Sequence, residues 1–136
     1  MNGPDLVRKL GVRARHRLFV RRECEDILAE IRPSLPSGVT ILPTRGKPTR
    51  ADVVILRPTK RQLRTLFVAA RGWIVPNGSV WVVVRKKPYR GPTDVSFEEA
   101  QAAALPTGFV DIKECSVSDI EYATRYVIRK ELRPKA

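Results

Sequence analysis

Cysteine and histidine are scarce in this sequence, and their scarcity excludes several kinds of site. The chain holds two cysteines, Cys24 and Cys115, and one histidine, His16. Since the cysteines lie far apart and no histidine cluster accompanies them, we predict neither a zinc site nor a disulfide framework, and expect reduced thiols in the core. No Ser-His-Asp or Cys-His catalytic arrangement is indicated either, because the single histidine lies in a basic run.

Long apolar segments are also missing. No window approaches the roughly 18 apolar residues that a membrane-spanning helix needs, and residues 1–10 lack the apolar stretch of a secretory signal. We therefore predict a cytoplasmic protein with no membrane partner. The 136 residues, 43% of them apolar, are enough for one core. We expect a single α/β domain over residues 1–131 and a basic flexible tail over residues 132–136.

Acidic residues are nearly absent from the middle of the chain. Between Arg45 and Arg90 there are twelve lysines or arginines and one acid, Asp52, within a chain of net charge +12. Such a field attracts phosphates at long range and makes binding depend steeply on salt. The segregation predicts an anionic partner, which we take to be the phosphate backbone of RNA or DNA. Arginine outnumbers lysine, so general amino-acid usage of the host is an alternative source of the charge.

Strand and helix signals alternate along the chain. Apolar runs predict strands at 18–20, 39–42, 52–56, 80–84, 109–117 and 122–128. Acids after Arg22, a capping threonine at Thr59 and a capping box at Ser96 predict the starts of three helices. Pro76-Asn77-Gly78 is predicted to be a turn. The alternation requires parallel strands joined by crossovers, whereas the last two strands are close enough to form an antiparallel hairpin.

The predicted fold is therefore an α/β domain with an open, doubly wound, mostly parallel sheet and a C-terminal antiparallel hairpin. In such sheets ligands bind outside the carboxyl ends of the strands, and three predicted strands end in basic residues there. Lys60, Arg64 and Arg71 are also expected to form a basic stripe on one helix. We assign anion binding to the cations of the strand ends, this stripe and the loop after the fourth strand: Arg21, Arg22, Arg57, Lys60, Arg64, Arg85, Lys86, Lys87, Tyr89 and Arg90.

Among the aromatic residues, Tyr89 is the one expected to be exposed. It stands in a basic loop, where cations can hold phosphates and a ring can stack on an unpaired base. Trp81 is expected in the core because it lies within an apolar strand, and Trp73 is expected to pack at a helix end.

The order of elements resembles the class I methyltransferase fold. The segment 52–56 resembles its fourth strand, 76–83 its next turn and fifth strand, and the closing hairpin its strands six and seven. More narrowly, Trp81-Val82-Val83 followed by Lys86-Lys87, then 108–117 and 123–130, resembles a small bacterial family called domain of unknown function 3052. The likeness covers about residues 5–131. It implies a degenerate, Rossmann-like methyltransferase fold and no established reaction.

The resemblance also implies a cofactor site that this sequence lacks. A methyltransferase of this class would have a glycine-rich turn after its first strand, close to S-adenosylmethionine, whereas residues 21–25 contain no glycine. The acid that would accept the ribose hydroxyls has no counterpart in residues 41–44. We therefore predict no cofactor.

Other reactive groups are given structural roles. Asp52 is expected to pair with a neighbouring arginine or to cap a loop. Acids around Cys24 oppose any thiolate character that a helix N-terminus would give it. Asp111, Glu114 and Asp119 have no histidine or cysteine at ligand spacing, so no metal site is predicted. We assign no catalytic residue.

Three functions stay open on these features. The leading hypothesis is a non-catalytic module that holds nucleic-acid phosphates on a basic edge with little sequence preference. The alternatives are a divergent, methyltransferase-like transferase that acts on an anionic small molecule, and a scaffold or dimerising protein whose charge only confers solubility.

Overall fold

A six-stranded mixed sheet forms the centre of the protein in the computed structural model, which describes residues 2–134. Its strands are β1 (Arg17–Val20), β2 (Thr40–Ile41), β3 (Ala51–Leu56), β4 (Ile74–Arg85), β5 (Phe109–Ser116) and β6 (Glu121–Ile128). They lie side by side in the order β2-β1-β3-β4-β6-β5. The first four run parallel, and β6 runs antiparallel to both of its neighbours. The predicted parallel sheet with a closing antiparallel hairpin is confirmed.

Helices cover both faces of this sheet, which makes the fold doubly wound. They are α1 (Gly3–Leu10), α2 (Glu25–Ile31), α3 (Leu63–Trp73) and α4 (Phe97–Ala104). Apolar side chains of α1 and α2 form one core cluster with one face of the sheet. Those of α3 and α4 form a second cluster with the other face. Successive residues of a central strand point to opposite faces of the sheet, so they are buried in turn by one helix pair and by the other.

The apolar run of β3 shows why the central strands lack an alternating pattern. Val53 and Ile55 pack towards α1 and α2, whereas Val54 and Leu56 pack towards α3 and α4. All four are at most 1% exposed. A strand covered on both faces needs apolar side chains at every position, as predicted for this segment.

The predicted capping groups are found at two helix starts. Ser96 Oγ accepts from the Glu99 N–H at 3.0 Å, and Glu99 Oε1 accepts from the Ser96 N–H at 3.0 Å. Thr59 and Gln62 form a second capping box on the short 3₁₀ turn that leads into α3. That helix then passes through Gly72 and ends at Trp73, one residue beyond the expected stop.

The helix α1 was not predicted from the sequence. The Asn2 side chain accepts a hydrogen bond from the Asp5 N–H at 3.1 Å, and Gly11 ends the helix in a left-handed conformation with φ of 73°. Leu6 and Leu10 are buried against α2 and the sheet. Eight residues show little more than two turns of periodicity, which explains why the pattern was missed.

The predicted turn at Pro76-Asn77-Gly78 is wrong. These residues lie inside β4, which begins directly after α3. Ala51 pairs with Ile74 but Val53 pairs with Ser79, so the four residues 75–78 of β4 bulge out opposite Asp52 of β3. Turn-forming residues fit here because a bulge also needs irregular backbone geometry. The strand predicted at 39–42 is likewise shorter, since β2 spans two residues.

The C-terminal segment is partly attached to the domain. The expected tail begins at residue 132, but Lys130–Leu132 forms a 3₁₀ turn and the Arg133 Nε donates to the Ile128 carbonyl at 2.9 Å. Residues 135 and 136 of the expected tail lie outside the described residues. In the part of the chain that is described, no helix is long and apolar enough to cross a bilayer.

Candidate anion-binding edge

Arg57 lies across the carboxyl edge of the sheet, directly after β3. Its guanidinium donates to both carboxylate oxygens of Asp26, at 3.0 and 3.1 Å, and to both of Glu121, at 2.8 and 2.9 Å. It also donates to the Glu23 carbonyl. Burial works against the charged form, but the hydrogen bonds to the two carboxylates raise the pKa of Arg57 above its usual value. We call Arg57, Asp26 and Glu121 the Arg57 clamp.

Folding thus brings acids to the edge that the sequence marked as basic. Asp26 comes from the start of α2, and Glu121 from the start of β6. Because β6 runs antiparallel to β4, its first residue must lie at the carboxyl end of β4. The strand directions contained this signal, and sequence reasoning missed it by comparing charges only along the chain.

Most of the cations predicted to bind anions already make a hydrogen bond or an ion pair with another residue of the protein. Arg21 Nε lies 2.7 Å from Glu23 Oε2. Lys60 Nζ donates to the Pro92 carbonyl at 2.9 Å and lies 3.4 Å from Glu99 Oε2. The remaining contacts are Arg85 Nε to Asp94 Oδ2 at 3.8 Å, Lys86 Nζ to Ser116 Oγ at 3.0 Å and Arg90 Nη2 to the Arg85 carbonyl at 3.2 Å.

Four cations of this edge are exposed and have no side-chain hydrogen bond or ion pair within residues 2–134. Arg22, Arg64 and Lys87 were predicted, whereas Arg61 was missed. Arg22 follows β1, Arg61 and Arg64 lie at the start of α3 after β3, and Lys87 follows β4. We call these four residues the rim cations. No carboxylate among the described residues neutralises their charge.

The predicted basic stripe on α3 is not one surface. Arg71 Nη1 donates to the Thr107 carbonyl at 2.7 Å, so this side chain holds α3 against the turn before β5. Lys60 points instead to Pro92 and Glu99. Only Arg64 of the three has no partner among the described residues, so the three cations do not form one continuous free stripe.

The aromatic residues lie as predicted. Tyr89 is 52% exposed in the loop after β4. Trp81 is fully buried, and its Nε1 donates to the Leu10 carbonyl at 3.0 Å. Trp73 is half-buried at the end of α3, where its ring meets Phe19 edge to face at a centroid distance of 5.5 Å. Tyr89 is thus the ring that a base could reach.

A cleft of about 860 Å³ opens beside the Arg57 clamp at the ends of β3 and β4. All three residues of the Arg57 clamp and the rim cation Arg61 line it. The other lining residues lie at or after the strand ends: Pro58, Thr59, Lys60, Arg85, Pro92, Thr93, Asp94, Val95 and Ile120. Both cations and carboxylates line this cleft. It therefore favours a ligand with both polar and charged groups over a simple polyanion.

The turn after β1 differs from a glycine-rich cofactor turn. Residues Arg22–Cys24 form a 3₁₀ turn, in which the Cys24 N–H donates to the Arg21 carbonyl at 2.8 Å. The Arg57 side chain reaches this turn through the Glu23 carbonyl. A guanidinium and its two carboxylates thus lie against one side of the turn, whereas a pocket of about 330 Å³ opens beside it, lined by Phe19, Arg21, Arg22, Glu23, Thr44, Gly46 and Trp73.

The remaining reactive groups have structural surroundings. Cys24 is fully buried, and burial raises its pKa to about 12 although Arg57 lowers it.

The expected structural role of Asp52 is found, but its partner differs: Oδ2 accepts from the backbone N–H of Arg17 at 2.7 Å and holds β1 to β3. Cys115 is buried too, so both thiols lie in the core as expected. Within residues 2–134, no three histidine, cysteine or carboxylate side chains converge as metal ligands.

Several solved structures share this fold. The structure of the pyocyanin biosynthetic protein PhzM matches with a TM-score of 0.69 at 12% identity, over 92% of this chain and 53% of that one. A SAM dependent methyltransferase from Aquifex aeolicus matches with a TM-score of 0.63 at 10% identity, over 92% and 89% of the two chains. The N,N-8-amino-8-demethyl-D-riboflavin dimethyltransferase RosA from Streptomyces davawensis matches with a TM-score of 0.60 at 12% identity, over 82% and 49%.

The likeness to these structures shows the fold and nothing finer. No family model matches the sequence, and no curated protein matches it. The chain spans about half the length of PhzM and of RosA, but most of the Aquifex aeolicus protein. The protein therefore has a methyltransferase-like, Rossmann-like α/β fold.

Proposed function

We propose that this protein is a non-catalytic binding module that holds nucleic-acid phosphates on the rim cations Arg22, Arg61, Arg64 and Lys87. The observation that carries the proposal is the contrast between these four side chains and their neighbours. The rim cations are exposed and have no partner within residues 2–134. The neighbouring cations Arg21, Arg57, Lys60 and Arg85 already have carboxylate partners.

The position of the rim cations suits a polymer better than a small ligand. They follow three different strands, so they spread along the carboxyl edge instead of meeting at one point. A phosphate backbone offers repeated charges to such a row, and each neutralised phosphate releases counterions. Contacts of this kind position a nucleic acid without reading its sequence.

Tyr89 favours a single strand over a duplex. Its ring is exposed next to Lys87, at the end of β4. An unpaired base can stack on such a ring while its phosphate meets the neighbouring cation, and this stacking is worth about 1–3 kcal/mol per base. We expect tighter binding to single-stranded RNA or DNA than to duplex DNA.

The Arg57 clamp argues against catalysis with a methyl donor. A ligand that approached the turn after β1 at the Glu23 carbonyl would have to displace a guanidinium that makes bidentate contacts with Asp26 and Glu121. Such charge-assisted pairs are about twice as strong as neutral hydrogen bonds. The edge is therefore better suited to bind phosphates from outside than to enclose a cofactor.

Fluorescence anisotropy with labelled oligonucleotides tests the proposal. We would compare the wild type with a variant that carries Arg22→Gln, Arg61→Gln and Lys87→Gln. The matched control carries Lys9→Gln, Arg32→Gln and Lys130→Gln, which removes the same charge from exposed positions elsewhere. Titrations at about 50 and 200 mM salt give the slope of log affinity against log salt.

The rim variant should bind single strands more weakly, and its salt slope should fall by about 2, or ~0.7 for each lost phosphate contact. The control should keep most of the wild-type slope. Equal losses in both variants would mean that only total charge matters. No binding by the wild type at low salt would overturn the proposal.

A second candidate function is favoured by the cleft beside the clamp. Its volume of about 860 Å³ lies within the range of small-molecule sites, and its lining mixes cations, carboxylates and threonines. A transferase that acts on an anionic small molecule would use this cleft. Calorimetry with S-adenosylmethionine checks the methyltransferase form of this idea, since saturable binding would contradict the argument from Arg57.

A further inference from the structure

Arg125 on β6 presents an arginine head group that the protein leaves only partly satisfied. Its Nε donates to Ser79 Oγ at 2.9 Å, which holds the side chain in place. Its two terminal nitrogens have no hydrogen-bond or ion-pair partner among residues 2–134. The side chain is half-buried, so this fixed guanidinium has lost part of its hydration without gaining a counter-charge.

The guanidinium reaches a pocket of about 280 Å³ at the amino edge of the sheet, opposite to the rim cations. Six polar or charged side chains line this amino-edge pocket, beside Gly11 and Val53: Arg13, His16, Asp52, Asn77, Ser79 and Arg125. They come from the loop before β1, the start of β3, the bulge of β4 with the residue after it, and the second half of β6. The bulge at residues 75–78, which no sequence pattern predicted, places Asn77 and Ser79 there.

The charges around Arg125 are unbalanced. Burial lowers the pKa of Arg125, and the positive charge of Arg13 lowers it further. Asp52 is the one carboxylate that lines the pocket, and its Oδ2 already accepts from the Arg17 N–H at 2.7 Å. Two arginines thus face one small pocket without an ion pair to either among the described residues.

The other polar groups of the pocket can act as donors. His16 Nδ1 accepts from the Arg13 N–H at 3.1 Å, which places the proton of the neutral ring on Nε2. Ser79 Oγ accepts from Arg125, so its own hydroxyl proton is still available. Asn77 adds a side-chain amide. A ligand that accepts hydrogen bonds in several directions would satisfy all of these groups.

We propose that the amino-edge pocket binds a phosphate group, either as inorganic phosphate or as the phosphoryl end of a small monoester. A planar carboxylate has two oxygens and suits a single guanidinium, whereas a tetrahedral phosphate can meet two arginines and a serine at once. The volume of the pocket is large enough for this small group. The proposal is independent of nucleic-acid binding, because the rim cations lie at the opposite edge.

Titration of ¹⁵N-labelled protein with inorganic phosphate, followed by NMR, tests the site. We expect saturable shifts at the amides of His16, Asn77 and Ser79 by about 10 mM phosphate. Arg125→Gln should abolish them. Since a half-buried residue can also affect folding, Arg13→Gln at an exposed position is the second variant, and should weaken binding about tenfold.

The matched control is Arg32→Gln, which removes one exposed arginine from outside the pocket and should leave phosphate affinity unchanged. Ribose 5-phosphate and ribose distinguish the sources of the phosphate. Tighter binding of the ester than of inorganic phosphate assigns a monoester, equal or weaker binding assigns the free ion, and either supports the site. Shifts with ribose alone, equal effects of Arg13→Gln and Arg32→Gln, or no saturable shift would overturn it.

Discussion

Arg57 and Glu121 are joined by two hydrogen bonds, of 2.8 and 2.9 Å, although 64 positions separate them in the chain. The Glu121 side chain is 14% exposed, whereas that of Asp26, the other partner of Arg57, is 66% exposed. Burial makes the contact with Glu121 the stronger one, because a protected pair is screened less by water. This contact ties the end of β3 to the start of β6.

Arg57→Gln should lower the free energy of unfolding by about 2–3 kcal/mol, because it leaves Glu121 with an uncompensated charge in a half-buried position. Urea denaturation measures the change. Glu121→Gln and the double variant complete a cycle, which should give a coupling energy of about 1–2 kcal/mol. Arg64→Gln, at an exposed position without a partner in the described chain, should change stability by less than about 0.5 kcal/mol. Coupling near zero would contradict a structural role for the clamp.

The contact of Asp26 with Arg57 should depend on pH. The hydrogen bond from Arg57 lowers the pKa of Asp26 below its ordinary value of 3.8. Its contribution is therefore fully present above that value and is lost as the pH falls through the lower, folded-state value. Asp26→Asn should cost about 0.5–1 kcal/mol near neutral pH, since the carboxylate is largely exposed.

That difference between wild type and Asp26→Asn should shrink at about pH 2. Urea unfolding at several pH values provides the comparison. Glu25→Gln is the matched control, because Glu25 lies in the same helical turn and has no ion pair within residues 2–134. A pH dependence of equal size in Glu25→Gln would assign the effect to the helix N-terminus and not to Arg57.

Cys24 should be unreactive in the folded protein. Burial raises its pKa to about 12, so the thiolate is nearly absent at neutral pH. In a Cys115→Ser background, where Cys24 is the sole thiol, reaction with a disulfide reagent at about pH 8 should be at least ~100-fold slower than in urea. Similar rates with and without urea would show that the turn after β1 opens readily.

Two glycines should respond to alanine in opposite ways. Gly72 lies within α3, and a Cβ there meets nothing within 4 Å, so Gly72→Ala should stabilise the protein by about 0.5–1 kcal/mol. Gly108 has φ of 93°, and a Cβ would lie 2.5 Å from Arg71 Nη1. Gly108→Ala should cost about 1–2 kcal/mol. Thermal unfolding gives both values, and stabilisation by both substitutions would contradict the strain at Gly108.

The sequence predicts most of the fold because its central strands and capped helices carry strong local signals. Residues 52–56 and 80–84 are apolar at every position, and Ser96 with Glu99 marks a helix start. Helix α1 and the bulge in β4 escaped prediction. Short helices have too few turns for a periodic pattern, and bulge residues are read as turns by their composition. Membership of the domain of unknown function 3052 family stays a prediction.

The electrostatics of the candidate site could not be predicted from local sequence as the strands could, because they depend on residues that are distant in the chain. Asp26, Asp94 and Glu121 neutralise cations that lie in a basic part of the chain. Charge counts along the sequence could not reveal this, although the direction of β6 could. The assignments of Arg22, Arg64, Lys87 and Tyr89 to phosphate binding stay predictions.

Both outer strands of the sheet are poor templates for further strands. One edge is β2, whose two residues offer few backbone groups to a neighbour. At the other edge, the ladder of β5 shifts register between Asp111 and Lys113, and charged side chains flank the shift. Short and irregular charged edges discourage intermolecular strand pairing. A sheet with such edges resists amyloid-like stacking, so copies at high concentration would be kept from joining their sheets.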